Sequence, residues 1–558
     1  MYGLPLFILH VRQTDSQSFR VYSHQSPDKR STVQRLGHHG LIDQVCQLPE
    51  QPSLRSRHTI LLYTLYLSRL RYYLFLFEYR FIGEAAKIFL IQERCLVDVR
   101  LKGFNEAVIF TSSGIRGVFN ETLTLEDIVK ISSSFAEVIG EGKIVVGRDT
   151  RPSGKPIAEA VIAGLTSIGK EVVDVEVAPT PTILHAIRDL KAAGGIIISA
   201  SHNPPEWNAL KLAGPEGLLL DEEYYTSIKK RISKRTVGRD RPRLIGTVRT
   251  WNPFPSYFRS ILDYIDREAV RSNPVKVAVD CGGGAGALAT PILLRKLGCE
   301  VKTIHCHTCG FFPRPLEPNQ KTLGDLSQFV ISTGSDVGVA HDCDADRMVC
   351  VSEDGAVLRP DEGFALIVDG VLREKRGGLV VTNVATSLLV EDVAEKYEAK
   401  VVRVAVGEAN VVKEMVRLKA TVGGEGSSGG VILPAVHYVR DGPLACAKLV
   451  EILAKTKAGV SDLLREYPTY YLERVKLSYP KALRHKIMDE LSSRYSDENV
   501  DLTDGIKLCG DREWVLIRPS RTEPAMRVWA EARSRQRAKQ LCENMVREVK
   551  SIISELNS

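Results

Sequence analysis

The stretch Gly195-Ile196-Ile197-Ile198-Ser199-Ala200-Ser201-His202-Asn203-Pro204-Pro205 decides how this chain is read. Its first four residues form a short uninterrupted apolar run, the pattern of a strand buried on both faces. A polar turn set on the end of such a strand is where open α/β folds place their chemistry. The turn offers a hydroxyl at Ser201, an imidazole at His202, an amide at Asn203 and a proline that fixes the exit. A hydroxyl on a rigid turn can act as a nucleophile or carry a phosphoryl group. Ser-His-Asn-Pro is also ordinary turn chemistry, so the rest of the chain has to choose between these readings.

Outward from this strand the pattern is regular from about residue 104. Apolar runs at Lys143–Val146, Val172–Val177, Val275–Asp280, Val337–Ala340, Leu379–Thr382 and Val401–Val406 read as strands. They alternate with amphipathic stretches at Leu125–Ile139, Ile157–Ile168, Pro291–Leu297, Glu391–Tyr397 and Ala409–Leu418, which read as helices. Such alternation predicts α/β domains with largely parallel sheets. The pattern restarts near 255, 358 and 470. With 558 residues, too many for one core, the expected division is 104–255, 256–357 and 358–468 as three similar α/β units, then 469–558 as a smaller α+β unit. Arg533–Leu556 reads as one long closing helix.

Residues 1–103 are different. They hold 5 of the 12 His and 7 of the 18 Tyr, and their apolar residues keep no sustained period. Within the most hydrophobic part, Thr59–Phe77, Arg69 and Arg71 fall near the middle of any span, which argues against a membrane helix. A transit peptide is also disfavoured, because acidic residues occur throughout. The next methionine after Met1 is Met348, so a start on a Val or Leu codon at Val97, Val99 or Leu101 would invite an upstream extension. The expectation is that 1–103 is an N-terminal extension and not a domain.

The net charge of +7 belongs mostly to this extension. Residues 1–103 carry 14 Lys+Arg and 8 Asp+Glu, the remainder 61 and 60. A nearly neutral body argues against a nucleic-acid partner. Eleven scattered cysteines without a repeated spacing are expected to be thiols in a reducing cytoplasm. His305-Cys306-His307-Thr308-Cys309 is the one cluster with zinc-like composition, but no second Cys-x-x-Cys completes four ligands. Cys306 and Cys309 are read instead as a buried or disulfide-capable pair.

Four further constellations bear on the choice. After the strand ending at Ala340 comes His341-Asp342-Cys343-Asp344-Ala345-Asp346-Arg347. Aspartates at alternate positions of an extended segment project to one side, and converging carboxylates call for a cation. A few hard oxygen ligands suit Mg²⁺, with positions left for a phosphate oxygen. Arg518-Pro519-Ser520-Arg521-Thr522-Glu523-Pro524, after a strand at Glu513–Ile517, could cradle an oxyanion. Gly423-Gly424-Glu425-Gly426-Ser427-Ser428-Gly429-Gly430 could read vicinal sugar hydroxyls, or could be a linker. Thr111–Gly117 and Gly147–Gly154 combine arginine with small polar residues and are either structural turns or phosphate contacts. Cys281–Gly286 lacks the spacing of a dinucleotide fingerprint.

The order of these elements, from about Ala107 to the C-terminus, resembles the α-D-phosphohexomutase superfamily, and its archaeal-type branch in particular. The resemblance implies four domains around a central cleft, each contributing one loop: phosphoserine, metal, sugar-binding and phosphate-binding. It implies that Ser201 carries the phosphoryl group and that Ser201, Asp342, Asp344 and Asp346 hold Mg²⁺. Lys211 matches the family's acid/base lysine, His202 supports the loop, and Arg116 and Arg347 stabilise transfer. Glu425 with Ser427 or Ser428 would read the sugar, while Arg518, Ser520, Arg521, Thr522 and Arg527 would hold the distal phosphate. Hexose 1,6-bisphosphate is the implied activator and a phosphosugar the substrate; the protein would be a monomer or homo-oligomer.

Departures from the family pattern lie at Gly429-Gly430, where many members have histidine, and at Arg521 and Ala209, which replace glycine. Cys343 stands at another position where glycine is common. None removes a catalytic group. The glycine-rich sugar loop favours phosphoglucosamine mutase, with phosphoglucomutase/phosphomannomutase of the same mechanism as the alternative. More distant readings are a Mg²⁺-dependent sugar phosphatase and a non-catalytic phosphosugar-binding paralogue.

Overall fold

The computed structural model describes residues 108–111, 114–234, 245–496, 499–520 and 525–557, with short strands in the first hundred residues. The chain divides into Met1–Leu101 and Lys102–Ser558. The first unit contains a three-stranded antiparallel sheet of Leu9–Asp15, Ser18–Ser23 and Gln34–Gly37, and a short hairpin of Leu62–Tyr63 with Leu74–Phe75. Among the described residues no helix is long and apolar enough to cross a membrane.

The second unit is built on four sheets. The first has seven strands, in the order Val248–Thr250, Val172–Val177, Ile144–Arg148, Gly194–Ile198, Trp207–Ala213, Gly114–Val118 and Ile109–Thr111. The first four strands run parallel and the remaining pairings are antiparallel. Gly194–Ile198 lies centrally and is buried along its whole length, as its apolar run predicts. Antiparallel pairing sets Ile197 opposite Lys211, so the strand feeding the Ser201 turn and the strand carrying the lysine are immediate neighbours.

The second and third sheets repeat one four-stranded plan. In one, Lys276–Asp280 lies parallel to both Glu300–Ile304 and Val337–Ala340, and Val349–Ser352 returns antiparallel. In the other, Leu379–Asn383 lies parallel to Lys400–Val404 and Val422–Glu425, with Gly430–Ile432 returning. In each, the turn between the last two strands holds a candidate loop. Equivalent strand ends thus carry the aspartates and Glu425. One large apolar core lies under both of these sheets, joining Val339 and Leu294 to Phe364, Val422 and Leu449. The fourth sheet is fully antiparallel, with Tyr471–Ser478, Ala525–Ala532, Trp514–Pro519, Ile506–Cys509 and Val500–Asp501 in order, and Arg535–Asn557 packs across it as the expected closing helix.

One expected strand ends early. Val401–Val406 was predicted as a continuous run, but pairing stops at Val404. The next residues turn so that the Val406 amide donates to Asp504 at 3.0 Å and the Gly407 amide to Glu425 at 2.8 Å. Two carboxylates, Glu425 from another strand and Asp504 from a turn, take the amides that a longer strand would have spent on the sheet.

Candidate functional site

Ser201 stands one turn beyond the buried strand with φ of 52°, the left-handed region that a serine rarely adopts. Arg151 holds that turn in place. Its guanidinium donates to the carbonyls of Ser201, Asn203, Pro204 and Trp207 at 2.6–3.1 Å, while Asp149 accepts from its Nε at 3.1 Å. Both members of this pair are fully buried. Gly147–Gly154, left open above between structural and phosphate-contact roles, therefore supplies the clamp on the serine loop. Arg116 adds a second clamp, donating to the Ala200 carbonyl at 3.2 Å and the Asn203 amide oxygen at 2.6 Å.

The three aspartates meet this loop. Ser201 Oγ donates to Asp342 Oδ2 at 2.5 Å, and Lys211 Nζ lies 2.5 Å from Asp344 Oδ2 and 3.6 Å from Asp346 Oδ2. Thr180 donates its hydroxyl to the same Asp344 oxygen and its amide to the Asp344 carbonyl. Ligand atoms of Asp342, Asp344 and Asp346 all lie within 4.8 Å of one another. Each carboxylate keeps one buried oxygen, Oδ1, without a hydrogen-bond partner. Buried orphan acceptors are costly, and three such carboxylates grouped this closely fit a bound cation with oxygen preference. Burial, then the neighbouring Asp346 and Asp344 charges, push the Asp342 carboxyl up to about 8. Burial opposes ionisation of Asp344 as well, but Lys211, the Thr180 hydroxyl and Arg440 together hold that carboxyl below its usual range. The expected acidic triad is thus assembled and able to hold a metal ion.

Lys211 is fully buried. Burial alone would discharge it, yet Asp344 and Asp346 together hold its pKa above the ordinary lysine value. His202 has the opposite fate. Arg347 Nη2 donates to its Nδ1 at 2.8 Å, which places the imidazole proton on Nε2. The Arg347 charge first, then burial, then Arg116 drive the His202 pKa down to about 2. A lone pair already accepting from arginine is a poor general base, in keeping with a supporting role.

The sugar-loop candidates lie one step away. Glu425 is buried; Oε1 accepts from Asn383 Nδ2 at 3.1 Å and the Gly407 amide at 2.8 Å, and Oε2 from Arg440 Nη1 at 2.9 Å. Gly426–Ser428 forms a single 3₁₀ turn in which the Ser428 hydroxyl donates to the Glu425 carbonyl at 3.1 Å. Ser427 sits half-buried on the same turn. The Gly429 carbonyl accepts from the Met348 amide at 3.0 Å, joining this loop to the aspartate loop.

The distal candidates form a separate group on the fourth sheet. Arg518 pairs across the ladder with Arg527, and Arg527 with Lys476. Residues directly opposite on antiparallel strands share a face, so three basic side chains form a row. Asp504 Oδ2 lies 2.6 Å from Arg518 Nε, and Ser520 donates its amide to the Ala525 carbonyl at 2.7 Å. Arg521 and Thr522 lie outside the described residues. In the His305–Cys309 cluster, Cys309 is exposed with Sγ 3.3 Å from His307 Nδ1, and Cys306 is half-buried against the Val279 carbonyl. Among the described residues only the aspartates group as metal ligands.

Sequence reading missed Thr180, Asn383, Arg440 and Asp504. Nothing in the local pattern of any of these four segments singles the residue out.

Comparison with known proteins agrees with this geometry. Models described as Phosphoglucomutase/phosphomannomutase match along the chain: alpha/beta/alpha domain I at 107–238, domain II at 255–355, domain III at 359–471 and the C-terminal domain at 474–548. A Thermococcus kodakarensis protein named "Phosphoglucomutase/phosphomannomutase" is 40% identical over 444 residues, covering 78% of this chain and 97% of its own. A Pyrococcus horikoshii "Probable phosphoglucosamine mutase" is 35% identical over 453 residues, covering 80% and 99%. The crystal structure of a phosphoglucomutase/phosphomannomutase family protein from Burkholderia thailandensis superposes with a TM-score of 0.71 at 25% identity, covering 80% of this chain and 98% of that one. With its serine turn, aspartate loop and sheet plan carried on a sequence this similar to whole relatives, the chain belongs to the phosphoglucomutase/phosphomannomutase family, the α-D-phosphohexomutases.

Proposed function

We propose that this phosphohexomutase interconverts hexose 6-phosphate and hexose 1-phosphate, with Ser201 as the phosphoryl carrier. One observation carries the reading: the Ser201 hydroxyl lies 2.5 Å from Asp342, within a buried cluster that holds three carboxylate oxygens without a hydrogen bond beside a protonated Lys211. In the proposal, phospho-Ser201, Asp342, Asp344 and Asp346 hold Mg²⁺, which offsets charge on the phosphoryl group in transfer. Arg116 and Arg151 keep the serine turn in register. Arg347 stabilises transfer and holds His202 neutral. As the Ser201 Oγ–P bond breaks, a sugar hydroxyl oxygen forms the new bond to phosphorus and gives up its proton to solvent, while Lys211 Nζ supplies a proton to Ser201 Oγ; the return step runs both transfers in reverse.

A mutase has to accept its sugar in two orientations. Glu425 and Ser427 are proposed to read the hydroxyls, since the Ser428 hydroxyl is used within its own turn. Arg518, Ser520 and Arg527, with Arg521 and Thr522, are proposed to grip whichever phosphate is distal. The hexose 1,6-bisphosphate would reorient between half-reactions and also rephosphorylate Ser201 when it is lost. A phosphatase would have no use for such a distal grip, which favours the mutase. Replacing Arg518 by Ala is expected to raise KM about 30- to 150-fold, the equivalent of about 2–3 kcal/mol for a charge-assisted phosphate contact. Steady-state kinetics with an unchanged KM would remove Arg518 from the clamp.

The glycine-rich sugar loop supports glucosamine phosphate as substrate. The 40% identity to the Thermococcus phosphoglucomutase/phosphomannomutase, against 35% for the Pyrococcus relative, supports glucose and mannose phosphates as a second reading. A coupled assay with the 1-phosphates of the three sugars, Mg²⁺ and catalytic bisphosphate decides between them. Inorganic phosphate as the product from all three would overturn the mutase reading itself.

A further inference from the structure

We propose that Arg440 is a positioning residue that ties the metal loop to the sugar loop, so that the reacting phosphoryl centre and the sugar are held in one register. The inference rests on the mutase reading above and extends it to a residue outside the family-derived site.

Arg440 follows the return strand Gly430–Ile432 and bridges back to Ile432. Its buried guanidinium meets three carboxylates from three separate segments. Nη2 lies 2.5 Å from Asp346 Oδ2, Nη1 2.9 Å from Glu425 Oε2 and Nε 3.1 Å from Glu408 Oε2. The Arg440 amide also donates to Glu408 Oε1 at 3.3 Å. A Cβ at Gly430 would collide with the Arg440 side chain, so the glycine makes room for it.

The planar fork explains a division of labour within each carboxylate. Arg440 occupies Oδ2 of Asp346, leaving its buried Oδ1 without a hydrogen bond, like Oδ1 of Asp342 and of Asp344. It occupies Oε2 of Glu425, while Asn383 and the Gly407 amide occupy Oε1. Both carboxylates are thereby oriented by the same rigid group, and neither loop can shift alone without breaking a charge-assisted bond. Lysine carries the same charge as a point on a flexible stem and cannot give Asp346 and Glu425 the two fixed, coplanar N–H bonds of a guanidinium. A substitution of arginine by lysine therefore removes the geometry and keeps the charge.

The test compares full-length Arg440→Lys, Glu425→Gln, Asp346→Asn and the two doubles containing Arg440→Lys. Two readouts are used: Mn²⁺ binding followed by electron paramagnetic resonance without substrate, and kcat and KM in the mutase assay. Arg440→Lys is expected to weaken Mn²⁺ about tenfold and to lower kcat/KM about 30- to 300-fold, chiefly through kcat. Losses in each double are expected to fall at least about fivefold short of the product of the singles, the signature of residues acting together. Multiplying losses, or a variant indistinguishable from wild type, would overturn the proposal. Should Arg440→Lys fail to fold, Glu408→Gln removes one arm and leaves Asp346 and Glu425 untouched. It is then expected to lower kcat/KM about three- to tenfold, with the same shortfall against Glu425→Gln; full activity or a simple product would count against Arg440. The Mn²⁺ comparison needs no turnover, so its failure is distinct from failure of the mutase reading.

Discussion

Ser201→Ala is expected to lower kcat by about 10,000-fold or more while leaving the KM for hexose phosphate within a few-fold of wild type, because removal of a covalent carrier abolishes the step and not the binding. The argument is geometric. Ser201 Oγ is the only atom of its loop bonded to the aspartate cluster, and the loop itself is held by Arg151 and Arg116 through backbone carbonyls that alanine retains. The substitution thus deletes the acceptor for phosphate and spares the scaffold. Intact-mass measurement after incubation with hexose bisphosphate is expected to detect one added phosphoryl group on wild type and none on the variant. Substantial turnover by Ser201→Ala would sink the phosphoserine mechanism.

Lys211→Met is expected to lower kcat about 100- to 10,000-fold, the range typical of a lost general acid–base group. Methionine matches the stem but strands Asp344 and Asp346 in a buried site, so a second variant is informative. Lys211→Arg keeps the charge beside both aspartates yet does not release its proton at accessible pH. Its kcat is expected to fall by a similar factor while bound Mg²⁺, followed calorimetrically, stays within a few-fold of wild type. Recovery of wild-type kcat in the arginine variant would reduce Lys211 to a countercharge. The pH dependence has a definite sign. The folded Lys211 pKa lies above its ordinary value, so its proton is present across neutral pH and its ion pairs weaken only as pH rises through that elevated pKa.

Much of the arrangement was legible from local sequence. The apolar run Gly195–Ile198, the aspartates at alternate positions after Ala340, and the helices Leu125–Ile139 and Arg535–Asn557 all announce themselves within a few residues. Periodicity is a local property, and a strand end followed by polar residues is readable without knowing what faces it. The premature end of Lys400–Val404 was not, because its cause is an aspartate about a hundred residues downstream.

The same distinction runs through the site. Sequence alone determined the α/β class of the main units, the carrier serine as a candidate and the metal-type carboxylates, and the family resemblance added Lys211. Tertiary structure alone decided who serves whom. Asp344 is shared between Thr180, at the start of a helix, and Lys211, on a strand, though they lie 164 and 133 residues away. Asp346 meets Arg440 across 94 residues, and Arg151 reaches 50 residues to cradle Ser201. The physical reason is that a buried charge is tolerated only with its partner in place. That partner is chosen by the packing of whole sheets against one another, information that no single segment carries.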